Sequence, residues 1–150
     1  LENTIEHYGI KMKIGFTCST FDLLHAGHNI LLKECKSRCD YLIVGLHTDP
    51  TIDRPDTKNK PVQSMYERFI QLENCKHVDK IIPYDTEKDL HNILATTRID
   101  VRFLGEDYLG KTNFTGDALC NQLQIQIEYL KRRHSYSTTE LRKRINDARI

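Results

Sequence analysis

Short apolar runs of strand length alternate with amphipathic segments of helical length along most of this chain, and that alternation constrains its fold more than any other feature. Lys11 to Thr17 reads as a first strand after a polar lead-in over residues 1–10. Asp40 to Leu46 is nearly continuously apolar, the pattern of a parallel strand covered on both faces. Val78–Tyr84, Val101–Gly105 and Ile125–Leu130 supply three more strand-length runs. Between them, Ile30, Leu31, Leu32 and Cys35 give helical spacing over 29–36. Ser64 begins a second helix reaching about Lys76, with Glu67 three residues on to close a capping box. Its apolar side is read as Tyr66, Phe69, Ile70 and Leu72. Glu87–Thr96 and Thr138–Ala148 are the remaining helices, and Glu106–Gly116 is turn-rich.

Strands and helices in this order predict a single Rossmann-like α/β domain over 11–150, with helices on both faces of a parallel sheet. Right-handed crossovers then bring the strand C-terminal ends to one edge, where ligands bind in open sheets. The 14-residue stretch His47–Lys60 lies at that edge, polar and without periodicity, and its length suits function better than connection.

Composition narrows the function. The net charge is +1, against the basic excess of a general nucleic-acid binder, so a phosphate site here has to concentrate cations locally. Five scattered cysteines contain no CxxC pair, which excludes a zinc ribbon or a thioredoxin-like centre; reduced thiols suit the cytoplasm. The longest apolar run, Tyr41–Leu46, falls far short of the roughly 20 residues of a membrane-spanning helix.

Chemistry concentrates in the loop after the first strand, Thr20-Phe21-Asp22-Leu23-Leu24-His25-Ala26-Gly27-His28. His25 and His28, three apart at a helix start, share a face, and Gly27 between them leaves room for close approach to the backbone. Free N–H groups and two imidazole donors together describe a triphosphate site. A partial metal site and a surface turn with a capping role stand beside that reading. The dinucleotide fingerprint GxGxxG is absent, which disfavours an oxidoreductase.

The segment Thr20–His28 resembles the HxGH signature of the cytidylyltransferases. Arg132-Arg133-His134-Ser135-Tyr136-Ser137-Thr138-Thr139 resembles their second, RTEGIST-like signature. Cys39–Val44, Cys75–Ile82 and Leu104–Tyr108 resemble family segments in the same order, most closely those of the glycerol-3-phosphate cytidylyltransferase group. The resemblance implies direct attack of an acceptor phosphate on the α-phosphate of CTP, or of ATP, with release of pyrophosphate. A binding protein without turnover is the alternative. His25, His28, Lys58, Lys60 and Arg132 would stabilise charge; Thr20, Phe21, Asp22, Gly27, Ser137 and Thr138 would hold the nucleotide. Mg²⁺ is expected to arrive with the triphosphate, with no protein metal site.

Two departures from the family stand out. Ser19 replaces a glycine, and Arg133-His134-Ser135-Tyr136 replaces Thr-Glu-Gly-Ile, adding charge and bulk beside the nucleotide. For the acceptor, Asp107 is a candidate for hydroxyls or a metal, and Lys111 and Arg68 for its phosphate. A solvated turn and a surface helix arginine are equally open readings of these three. Ser137 also reads as a plain N-cap with Glu140 closing a box. Lys76–Ile82 resembles the segment through which family members form homodimers.

Overall fold

The computed structural model of the protein describes residues 11–111 and 114–148; the lead-in over 1–10 lies outside them. In chain order the elements are β1 (Ile14–Ser19), α1 (Ala26–Ser37), β2 (Tyr41–His47), α2 (Met65–Glu73), β3 (Lys80–Tyr84), α3 (Glu87–Thr96), β4 (Val101–Gly105), a 3-10 turn (Glu106–Tyr108), α4 (Asp117–Gln122), β5 (Gln126–Leu130) and α5 (Thr138–Asp147). The five strands form one sheet in the order β3-β2-β1-β4-β5, every neighbouring pair parallel. This is the Rossmann-like three-layer arrangement that the alternation predicts. Each predicted strand appears, displaced by at most three residues at an end.

Alternate residues of the sheet feed two cores. On one face Leu42, Val44, Leu46, Val101 and Phe103 pack against Leu32 and Cys35 of α1 and Leu72 of α2. On the other, Phe16, Ile43 and Tyr84 meet Leu90 and Leu94 of α3 and Cys120 of α4. The short helix α4 is missing from the sequence reading because its six residues are too few for a periodic signal and only Cys120 is buried. A second correction concerns α2. Arg68 and Leu72 face inward, while Tyr66, read as apolar-side, is largely exposed.

Three aspartates set the register of the sheet. Asp40, Asp79 and Asp100 each stand just before a strand, and each carboxylate accepts an N–H at the start of the neighbouring strand. Asp40 takes Lys13 at 2.8 Å, Asp79 takes Leu42 at 2.7 Å and Asp100 takes Ile14 at 2.7 Å. A one-residue slip would break these bonds and turn every side chain to the wrong face. Asp79→Ala orphans the N–H of fully buried Leu42, so we expect a loss of about 1–3 kcal/mol in denaturant unfolding. Asp79→Asn, which keeps an acceptor oxygen, should retain most of it.

Candidate active site

The loop leaving β1 is held by one carboxylate. Asp22 accepts from the backbone N–H of Val62 at 2.8 Å and of Gln63 at 2.9 Å, and from the Arg142 guanidinium on α5 at 3.0 Å. Burial pushes its carboxyl up, but the Gln63 and Val62 donors and Arg142 outweigh that and hold it below the usual carboxylate range. On either side, Phe21 and Leu23 take φ of 51° and 50°, the left-handed region that bulky residues avoid. Phe21 offsets that cost by burying its ring completely in the α1/α2 core. Ser19, in place of the family glycine, lies within β1, so its β-carbon meets no strain.

The histidine pair forms the cap of α1. His25 is the N-cap and its Nδ1 accepts from Gly27 N–H at 3.0 Å; His28 Nδ1 accepts from His25 N–H at 3.2 Å. The rings stack with centroids 3.9 Å apart. The capping role read for this turn is thus filled by the two histidines of HxGH themselves. With both Nδ1 atoms accepting, each neutral ring carries its proton on Nε2. Burial lowers the His28 pKa to about 4, helped by the neighbouring His25 and Arg132 and opposed by Asp22. Burial, Arg132 and His134 likewise lower that of His25. At neutral pH the two side chains are uncharged donors.

The second signature closes over this pair. Ser137 caps α5, accepting from Glu140 N–H at 3.0 Å. Only this half of the predicted box forms, among the hydrogen bonds of the described residues. Thr138 Oγ1 donates to Asp22 O at 3.4 Å and lies 3.3 Å from His25 Nε2, placed to accept its proton. Gly27 is buried, and the room at its α-carbon holds two imidazoles. A β-carbon there would come within 2.8 Å of His25 Cε1 and 2.9 Å of His134 Cε1. His134 in turn accepts from Tyr136 N–H at 3.1 Å and stacks on its ring. Arg132 is exposed, its guanidinium donating to Tyr136 O.

Beyond the strand ends lies a cavity of about 940 Å³, walled by Cys18, Thr20, Arg54, Lys58, Arg102 and Lys111 among others. It opens beside β1 and β4, where the strand order reverses and open sheets bind ligands. Of the residues singled out in the sequence, Thr20, Lys58 and Lys111 reach it. His25, His28, Asp22 and Thr138 form the adjoining cluster. Lys60 and Asp107 are exposed and off the cavity wall.

Arg68 requires a correction. It is 2% exposed and donates to four carbonyls, of Gln63, Thr20, His47 and Thr48. Its donors tie the β1 and β2 loops to α2 rather than facing an acceptor. Arg54 and Arg102 on the cavity wall and Arg142 at Asp22 are absent from the sequence reading, while His134, read there only as charge and bulk beside the nucleotide, packs against Gly27. Arg102 had a signal, a charge inside the apolar strand run VRFLG; so had Arg142, one helical turn after Thr138.

The cytidylyltransferase-like family model matches residues 16–144. The glycerol-3-phosphate cytidylyltransferase of Bacillus subtilis (strain 168) is 34% identical over 89% of this chain and 98% of its own length. The bifunctional protein HldE of Caulobacter sp. (strain K31) is 38% identical over 90% of this chain, which spans only 27% of that protein. Among solved structures, the lipopolysaccharide core biosynthesis protein of Thermoplasma volcanium GSS1 superposes with a TM-score of 0.65 and 25% identity, covering 85% of this chain and 100% of its own.

Two outcomes test this geometry. Folded His28 titrates at about 4 against an ordinary 6.5, so as pH falls the unfolded chain takes up the proton first. Stability from the neutral ring is present above pH 6.5 and is lost towards pH 4, with His25 acting in the same sense. Melting temperature should therefore fall from pH 7 to pH 5, and more steeply in the wild type than in His28→Asn. Arg68→Met should lower unfolding free energy by about 3 kcal/mol or more, by stranding buried carbonyls.

Proposed function

The chain belongs to the cytidylyltransferase-like family, and we propose from that premise that it transfers CMP from CTP to a phosphorylated small alcohol or sugar, releasing pyrophosphate. The observation that carries this reading is the pair of neutral histidines, both with Nδ1 committed to the backbone and Nε2–H as donor, that of His25 directed at Thr138 Oγ1. Uncharged, stacked rings of this kind donate without repelling one another. They gain hydrogen bonds as charge builds on the phosphates, which is how fixed donors lower a barrier.

In the proposed step an oxygen of the acceptor phosphate attacks the α-phosphorus of CTP. A new P–O–P bridge forms, the bond to the bridging oxygen between the α- and β-phosphates breaks, and its electron pair leaves with pyrophosphate. The chain supplies position and charge rather than a nucleophile. His25 and His28 hold the phosphates, and Thr138 with the start of α5 receives the β- and γ-groups. Lys58, on the cavity wall, neutralises charge between donor and acceptor. Arg132, one hydrogen bond away from release by Tyr136 O, turns to the leaving pyrophosphate.

Mg²⁺ enters this reading as part of the nucleotide substrate. Among the described residues no three His, Cys, Asp or Glu side chains cluster to hold a metal, and the Asp22 carboxylate is already met by three donors. In this reading the ion is carried by the phosphates and water, offsetting their charge. Glycerol 3-phosphate is the first acceptor to try, from the name of the Bacillus relative. We place the reaction in the cytoplasm, where five free thiols stay reduced, and in a homodimer joined through Lys76–Ile82.

Pyrophosphate release with Mg²⁺, comparing CTP and ATP against a panel of phosphorylated acceptors, tests the proposal. Release should require CTP and one acceptor, and His28→Ala should lower turnover roughly 10²-fold or more. CTP binding without turnover across the panel would favour a binding protein; preference for ATP would make it an adenylyltransferase.

A further inference from the structure

Arg102 is a buried cation with no carboxylate partner among the described residues. It sits in β4, in register with fully buried Phe16 of β1, and is itself 3% exposed. None of the ion pairs among the described residues involves it. One Nη donates to Thr115 O at 2.6 Å; the other has only the Cys18 sulfur at 3.9 Å, and buried Nε has no partner among the described residues. The ring of Phe114 lies 5.5 Å from the guanidinium carbon. Cys18 is two residues further along β1 than Phe16, so the guanidinium leans from its strand towards the ligand edge of the sheet, where it lines the cavity.

An unpaired buried charge is among the costliest features a core can carry, and an apolar residue of similar volume would serve the sheet better. The remaining cavity cations do not share this state. Arg54 is paired with Glu87, and Lys58 and Lys111 are exposed to water. The transferring phosphate does not call for Arg102 either, because the histidine pair belongs to the adjoining cluster and not to this wall.

Building on the nucleotidyl-transfer reading, we propose that Arg102 binds a second anionic group of the acceptor, a carboxylate or phosphate remote from the phosphate that attacks. The favoured acceptor class is then a phosphorylated acid or a bisphosphate rather than a neutral polyol phosphate. The unpartnered Nε and the Nη whose only contact is the distant Cys18 sulfur form one guanidinium edge, a geometry suited to two oxygens of one anion. Thr115 O, held by the opposite side of the group, fixes its plane.

Matched probes test this by calorimetry, with the nucleotide site empty and again with CMP present. 3-Phosphoglycerate differs from glycerol 3-phosphate by a carboxylate in place of a hydroxymethyl, and fructose 1,6-bisphosphate from fructose 6-phosphate by a second phosphate. In at least one pair the member with two anionic groups should bind more tightly by roughly 10- to 100-fold, the range of a charged hydrogen bond. Which pair separates identifies the anion. Arg102→Met, chosen to keep volume, should abolish that preference while leaving CTP affinity and melting temperature near wild type. Absence of a preference in both pairs overturns the proposal, as does a preference that survives in Arg102→Met. Equal loss of CTP and acceptor binding also overturns it, since that marks a structural strut. Arg102-dependent binding without pyrophosphate release from any acceptor would sink the transferase reading and keep this one.

Discussion

The candidate site depends on one carboxylate. Asp22 joins three stretches of chain that are far apart in sequence: the β1 loop that carries it, the Val62–Gln63 entry to α2, and α5 through Arg142. Helix α5 buries no residue of its own, so apolar packing does little to hold it. Its position rests on polar contacts to this loop, the Asp22–Arg142 pair and the Thr138 hydroxyl on Asp22 O. A carboxylate so fully occupied is unsuited to act as a base, and its role is to present the histidines and the α5 start to the same space.

That dependence explains why the histidines serve as caps. A serine or aspartate would satisfy the α1 N-terminus with less bulk. Imidazole does so with one nitrogen and keeps a second as donor, so the backbone itself fixes the tautomer. Gly27 is required by the same packing, because its α-carbon faces the rings of His25 and His134 with no room for a methyl. The motif is thus a local structure whose by-product is a pair of oriented Nε2–H groups.

Legibility in the sequence follows the range of the forces involved. Strand runs such as Tyr41–Leu46 and caps such as Ser64–Glu67 are set by neighbours in the chain, and both were readable. The loop signatures were readable by resemblance. The role of Arg68 is not legible in sequence, because helical spacing gives a face but not what the face meets, here carbonyls at the ends of β1 and β2. His134 could not be placed against Gly27 from sequence, since 107 positions separate them. Arg102 was hidden for a related reason: within a strand, one charge among apolar residues does not say whether its partner is protein or ligand.

The parallel sheet separates the two halves of the proposed reaction. The histidine pair grows from α1, on the face that packs against Leu42, Val44 and Leu46. Arg102 projects on the face of Phe16 and Cys18, under the chain that leads into α4. β1 is the central strand and the only one whose C-terminal loop continues into the HxGH segment, so Ser19 and Thr20 stand between the two sides. In the proposed reaction, neutral donors on one side and the buried Arg102 cation on the other give each anionic group a distinct environment before any chemistry begins. In the proposed reaction a nucleotide at the histidines meets uncharged donors, with Arg132 the nearby cation. An acceptor entering the cavity meets fixed positive charge, which draws its anions inward and leaves the reacting oxygen to be placed at the β1 loop.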